Sequence, residues 1–219
     1  MSRYSGKVVP GGPPAVRELA HLIVTKASVG PRDNNVYVLR CRRTGAELVV
    51  DAAAEPDRIL ALCGEGPLVR VVTTHRHPDH WRALAEVVGR TGSATVAHAD
   101  DAPAIPVPTT EPVVDGDRVG VGSIMLVVVH LVGHTPGSIA LLYDDPTGAP
   151  HLWTGDSLFP GGVGSTHGSA EAFERLLGDV TAKLFDRLPD ETWVYPGHGN
   201  DTTLGAERPH LAEWRARGW

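Results

Sequence analysis

Thr74-His75-Arg76-His77-Pro78-Asp79-His80-Trp81 is the stretch on which the reading of this chain turns. It places four side chains able to bind a metal, His75, His77, Asp79 and His80, within six residues. The run that leads into it, Val69-Arg70-Val71-Val72-Thr73-Thr74, is rich in β-branched residues and reads as a buried strand. The four donors therefore leave the end of one strand together. His75 and His77 are separated by one residue, so in extended geometry both point to the same side. Asp79 and His80 open a helix expected over residues 78–88, where a carboxylate also suits the helix N-terminus. Such a strand-to-helix turn can present one pair of ligands to one ion and the next pair to a second. Imidazole and carboxylate are donors that zinc and iron accept.

Working outward, three further donors stand at predicted strand ends, each beside glycine. They are His134 in Gly133-His134-Thr135-Pro136-Gly137-Ser138, Asp156 in Thr154-Gly155-Asp156-Ser157-Leu158-Phe159, and His198 in Pro196-Gly197-His198-Gly199. Glycine at such turns lets the backbone come close and take unusual φ/ψ values. Five histidines and two aspartates at four loops are enough for two metals, with Asp156 placed to bridge them. A single His-x-His arises by chance and usually marks a solvated loop, and a lone Gly-His is weaker still. Chance would have to supply all four loops in order, each after a strand, which makes coincidence the poorer explanation.

This pattern resembles the metallo-β-lactamase superfamily, and its glyoxalase II-like branch most closely, over the span from Asn34-Asn35 to His198. The resemblance implies an α/β fold, an αβ/βα sandwich of two mixed β-sheets flanked by helices, with a metal site at the rim of the sheets. It implies that His75, His77 and His134 hold one metal, that Asp79, His80 and His198 hold a second, and that Asp156 bridges. Asp51, in Val49-Val50-Asp51, matches a family aspartate that buttresses the metal loop. The implied cofactors are two divalent metal ions, zinc first and iron second. The implied chemistry is attack on a carbonyl by a metal-bridging hydroxide, with Asp79 and Asp156 as the catalytic carboxylates that orient it and move its proton. Gly155-Asp156-Ser157-Leu158-Phe159 resembles the Gly-Asp-(Thr/Ser)-Leu-Phe segment of the glyoxalase II-like thioesterases. The expected activity is thus hydrolysis of a small acyl-thiol ester, in the manner of a hydroxyacylglutathione hydrolase. With 21 residues after His198, the chain resembles a short form lacking the helical C-terminal domain that grips glutathione.

Three alternatives stay open at this point. A mononuclear iron persulfide dioxygenase shares the motifs, with its site mapping to His75, His134 and Asp156. A lactone or other ester hydrolase would use the same fold. A non-catalytic metal-binding or redox-sensing module would not need Asp79, His80 and His198 as a second ligand set.

The rest of the chain bounds these readings. Its 219 residues, 42% hydrophobic, suit a single domain over residues 1–219 and exclude wholesale disorder. A net charge of −6 argues against a nucleic-acid partner. Cys41 and Cys63 are too few for a disulfide framework, and their spacing is no zinc ribbon. No secretory signal is evident near the start. The strongest apolar run, residues 124–129, is far below the ~20 residues of a membrane helix. A cytoplasmic enzyme with a small-molecule thioester or ester substrate is expected. Hairpins are predicted around residues 43–45 and 122–123, the longest helix over 169–188, no structure over 101–118, and a loose arm over 1–15. Asn35, Tyr37, Trp81 and His167 are candidate substrate contacts, whereas His21, His98, His130, His151 and His210 have no motif around them.

Overall fold

Short β-branched runs broken by glycine turns build two sheets within residues 4–218, the part of the chain that the computed structural model describes. The first half lays down β1 (Ala15–Glu18), β2 (Leu22–Val29), β3 (Asn34–Cys41) and β4 (Glu47–Val50) as an antiparallel meander. It continues through α1 (Pro56–Leu62) to β5 (Leu68–Val72), through α2 (Leu84–Thr91) to β6 (Ala94–His98), and on to β7 (Glu111–Val113), each strand parallel to the one before. The seven strands lie in sequence order.

The second half repeats the plan. β8 (Arg118–Val121), β9 (Ile124–His130), β10 (Ile139–Tyr143) and β11 (His151–Gly155) run antiparallel. A small hairpin, β12 (Leu158–Phe159) with β13 (Gly162–Val163), and α3 (Ala170–Val180) then carry the chain back to β14 (Trp193–Pro196), parallel beside β11. Parallel neighbours need such a crossover, which α3 supplies. β15 (Thr202–Thr203) closes the edge, followed by α4 (Leu204–Glu207) and α5 (Leu211–Arg217).

Alternation along the strands sorts the core into three layers. Leu39, Leu126, Trp153 and Tyr195 meet between the sheets. Val38, Val49 and Val71 face outward onto Ile59 of α1 and Leu84 and Val87 of α2. Leu152 and Val194 face the other way, onto Phe173 and Leu176 of α3 and Trp214 of α5. The result is the expected αβ/βα sandwich of two mixed sheets flanked by helices. No helix among the described residues is long and apolar enough to cross a membrane.

Several local expectations are corrected. The helix expected over 78–88 is a 3-10 turn, Pro78–His80, separated from α2, because Trp81 leaves the helical region at φ −139°. The helix expected over 169–188 starts with Ser169 capping Ala172 N but loosens into a π turn, Thr181–Phe185, after α3. Residues 101–118 contain a 3-10 turn and β7. The N-terminal stretch expected as a loose arm is tied down at two described points: the Tyr4 hydroxyl donates to Asp201 Oδ2 at 2.7 Å, and Gly6 O accepts from Lys26 Nζ at 2.8 Å.

Candidate metal centre

Every predicted metal donor sits beyond the C-terminal end of a strand, at one rim of the sandwich. This is where open α/β sheets leave a crevice for ligands. β4 is followed by Asp51, which has a positive φ of 59° and sets its carboxylate against Thr74 of the loop after β5. Asp51 Oδ1 accepts from Thr74 N and Asp51 Oδ2 from Thr74 Oγ1, both at 2.8 Å, and Oδ2 lies 2.8 Å from His80 Nδ1.

One arrangement recurs around the rim. His80 Nδ1 faces Asp51 Oδ2, His134 Nδ1 lies 2.7 Å from Ser165 O, and His198 Nδ1 lies 3.0 Å from Arg32 O. His75 Nδ1 lies 3.1 Å from Thr74 Oγ1, whose own proton goes to Asp51. Each of these four rings sets Nδ1 against an oxygen and turns its Nε2 edge to the centre, the pattern that orients metal-ligating histidines. His77 has no such oxygen partner and places Nδ1 2.9 Å from His134 Nε2.

The inward atoms crowd together. His134 Nε2 is 3.3 Å from His75 Nε2, and His80 Nε2 is 3.3 Å from His198 Nε2. Asp156 lies between the two groups: Oδ2 is 4.0 Å from His75 Nε2, 3.7 Å from His134 Nε2 and 3.5 Å from His198 Nε2, and Oδ1 is 3.4 Å from His80 Nε2. Asp79 Oδ2 is 3.7 Å from His198 Nε2. Donor atoms of His75, His77 and His134 fall within 4.8 Å of one another, and so do those of Asp79, His80 and His198. Ring nitrogens this close must share a proton or a cation between them. Asp156 Oδ1 is buried without a hydrogen bond, a costly condition that a cation would relieve. The donor set therefore fits two divalent ions.

The electrostatics differ between the two ligand sets. Burial pushes the pKa of His75 well down, and those of His77 and His134 down, with neighbouring histidines adding to the effect, so all three keep free lone pairs at neutral pH. Burial also opposes the charged form of His80, yet Asp51 and Asp156 outweigh it and raise this group to about 10. For Asp156, burial favours the neutral acid, but His80, His198 and His75 hold its pKa well below the carboxylate range.

The secondary candidates fare differently. His167 stands at the mouth of the open cleft, its ring 5.5 Å from that of His77. Asn35 and Tyr37 are buried, with their donors taken by the backbone around His198: Asn35 Nδ2 donates to Pro196 O and Gly199 O, and the Tyr37 hydroxyl to Pro196 O. Trp81 packs on the layer under α1 and α2 and donates to Arg76 O. Asn35 and Tyr37 give buried donors to the carbonyls of the loop around His198, and Trp81 bonds its own turn.

Other participants were not legible in the motifs. Asp101, fully buried, accepts from Arg76 N at 2.9 Å, Thr135 Oγ1 at 2.6 Å and Gly137 N at 2.9 Å, so it joins the His75–His77 loop to the His134 loop. Asn34 Nδ2 reaches Asp79 Oδ2 at 3.4 Å, and Arg32, 65% exposed, places Nη1 3.6 Å from the same oxygen. Arg32, His77, Asp79 and His167 line a cleft of about 420 Å³ over the centre. Only an Asn-Asn pair before a strand hinted at any of these.

Comparison with known proteins points the same way. The sequence model of the metallo-beta-lactamase superfamily matches residues 29–198. A hydroxyacylglutathione hydrolase of Rhodospirillum rubrum is 35% identical over 169 residues, which is 76% of this chain and 62% of that protein. Among solved structures, ETHE1 from Myxococcus xanthus superposes with a TM-score of 0.76 at 28% identity, covering 88% of this chain and 84% of that one. The di-iron-bound form of TTHA1623 superposes with a TM-score of 0.68 at 32% identity, covering 83% and 95%.

Proposed function

The chain belongs to the metallo-β-lactamase superfamily, and on that premise we propose that it is a dinuclear metal-dependent hydrolase of small acyl thioesters, with hydroxyacylglutathione-type esters the first class to test. The observation that carries this reading is the orientation of His75, His80, His134 and His198, each anchored at Nδ1 and presenting Nε2 to a common space beside Asp156. His75, His77 and His134 would hold one ion, Asp79, His80 and His198 the second, and Asp156 would touch both. Zinc is the first choice and iron the second. Bound there, two such ions would polarise a carbonyl oxygen and bring the pKa of water to about 7.

The chain's own groups supply the rest. Asp79 stands at the cleft side of the centre, where Asn34 and Arg32 hold its Oδ2, and can take the proton of an attacking water and return it to the departing thiolate. Asp156, fixed among four imidazoles, keeps the two halves of the site in register. Arg32 and His167 flank the opening and suit the polar groups of a thiol carrier. No cysteine lines this cleft, so a covalent thiol mechanism has no nucleophile here. The free thiols Cys41 and Cys63 suit a reducing compartment such as the cytoplasm.

Likeness to ETHE1 favours one second reading, a mononuclear iron site for persulfide oxidation built on His75, His134 and Asp156. Those three side chains do lie within 4.0 Å of one another. Metal content measured together with a panel of thioesters, lactones, β-lactams and a persulfide separates the two. We expect two metal ions per chain and thioester turnover that falls by roughly 1,000-fold in Asp79→Ala. One iron per chain with oxygen uptake on the persulfide would replace the hydrolase reading, and no turnover of any ester would end it.

A further inference from the structure

Each ligand set draws on both sheets. His75, His77, Asp79 and His80 follow β5 of the first sheet, whereas His198 follows β14 of the second and must meet Asp79 and His80 across the gap. Buried donors from the first sheet hold that approach. Asn35 Nδ2 donates to Pro196 O and Gly199 O at 2.9 Å, and Asn35 N donates to Gly197 O at 2.8 Å. Lys26, in the middle of β2 and 0% exposed, adds a charge to this set. Its Nζ donates to Gly199 O at 2.7 Å, to Gly6 O at 2.8 Å and to Asp201 Oδ1 at 2.6 Å, so all three ammonium protons are placed. Asp201 Oδ2 accepts from the Tyr4 hydroxyl at 2.7 Å and from Trp193 Nε1 at 2.9 Å.

A buried ion pair is a poor source of stability, since well-packed apolar side chains of similar volume often do as well or better. Its effect here is directional. One partner bonds the carbonyl directly after His198, and the other is Asp201, three residues after it. On the opposite side His198 is held by Arg32 O. The first ligand set is secured separately, through Asp101.

We propose that the Lys26–Asp201 pair is a positioning device for His198 and thereby sets the affinity of the second metal site independently of the first. This rests on the two-metal reading. The test is a cobalt(II) titration of the metal-stripped full chain, followed by visible absorption and by bound-metal analysis, for the wild type, the neutral double variant Lys26→Met/Asp201→Asn, and Asn35→Ala. Asn35→Ala removes other bonds to the same loop and serves as the comparison, and Lys26→Gln, which removes the charge at the same place, tests the pair if the double variant does not fold. The wild type should bind two equivalents. In the variants the second equivalent should bind about 10- to 100-fold more weakly, with the first unchanged. Two equivalents bound as tightly as in the wild type would overturn the proposal, and so would parallel weakening of both, which is what general loosening of the fold would give. A wild type that binds one equivalent would overturn the two-metal reading itself and the proposal with it.

Discussion

Asp101 shows how much a single carboxylate can do from outside the ligand set. It accepts from Arg76 N, Thr135 Oγ1 and Gly137 N, and it locks two ligand loops to each other. Asp101→Ala would take the partner from the amides of Arg76 and Gly137, and we expect a loss on the order of 3 kcal/mol in urea denaturation of the metal-free protein. A loss below about 0.5 kcal/mol would show that water replaces the carboxylate. Nothing in the run Ala97-His98-Ala99-Asp100-Asp101 signals this role, because the three donors come from other loops and only folding brings them there. The seven metal donors are the opposite case. Their chemistry is a property of residue type, and the His-x-His-x-Asp-His spacing and the flanking glycines are local, so the cluster that they form at one rim was legible as a candidate site. Asn35 and Tyr37 were visible for the right reason, their place beside the site, but burial makes them supports for the His198 loop.

At the scale of elements, the turns decide how closely the donors approach. A Cβ at Gly197 would overlap Asp156 Oδ1 and come within 2.9 Å of His80 Cε1, so the loop after β14 can meet the centre only as glycine. Gly199, two residues on, has φ +68° and open space around it, so it is a conformational requirement and no contact requirement. Gly197→Ala should displace Asp156 and lower turnover about 100-fold, while circular dichroism of the metal-free protein stays close to wild type because β14 itself is untouched. A variant with full activity would mean that the loop has room the close approach denies. The hairpins and alternating strands were readable from their period, since strand faces follow residue by residue. Helix limits were less so. The end of α3 depends on a π turn that Thr181 closes with its hydroxyl on Leu177 O, and the break before α2 depends on Trp81 bonding back to Arg76 O. Both are choices between nearly equal backbone states that contacts settle.

At the scale of the whole molecule, the sandwich carries the candidate metal centre at one rim and a buried aromatic cluster elsewhere in the same core. There His151 stacks on Tyr143 and Tyr195, with Nδ1 2.9 Å from the Tyr195 hydroxyl. Burial, helped by the charge of Arg17, lowers its pKa from 6.5 to about 4. The folded state thus favours the neutral ring, so this contribution is complete above about pH 6.5 and is lost as pH falls toward 4, on the order of 3 kcal/mol in all. Urea denaturation at pH 7 and at pH 4.5 should show a smaller acid loss for His151→Phe than for the wild type, and equal losses would mean that the ring titrates normally. The order of residues along the chain was sufficient to identify the donors, the strand ends that carry them and the two-sheet plan, because ligand chemistry and strand alternation are short-range properties. It was silent on which ring nitrogens turn inward, which donors share an ion and what braces them. Those depend on approaches between residues 57 apart, as for His77 and His134, or 118 apart, as for His80 and His198. Such pairings exist only once the two sheets have packed and the loops at their rim have found buried partners for their backbone.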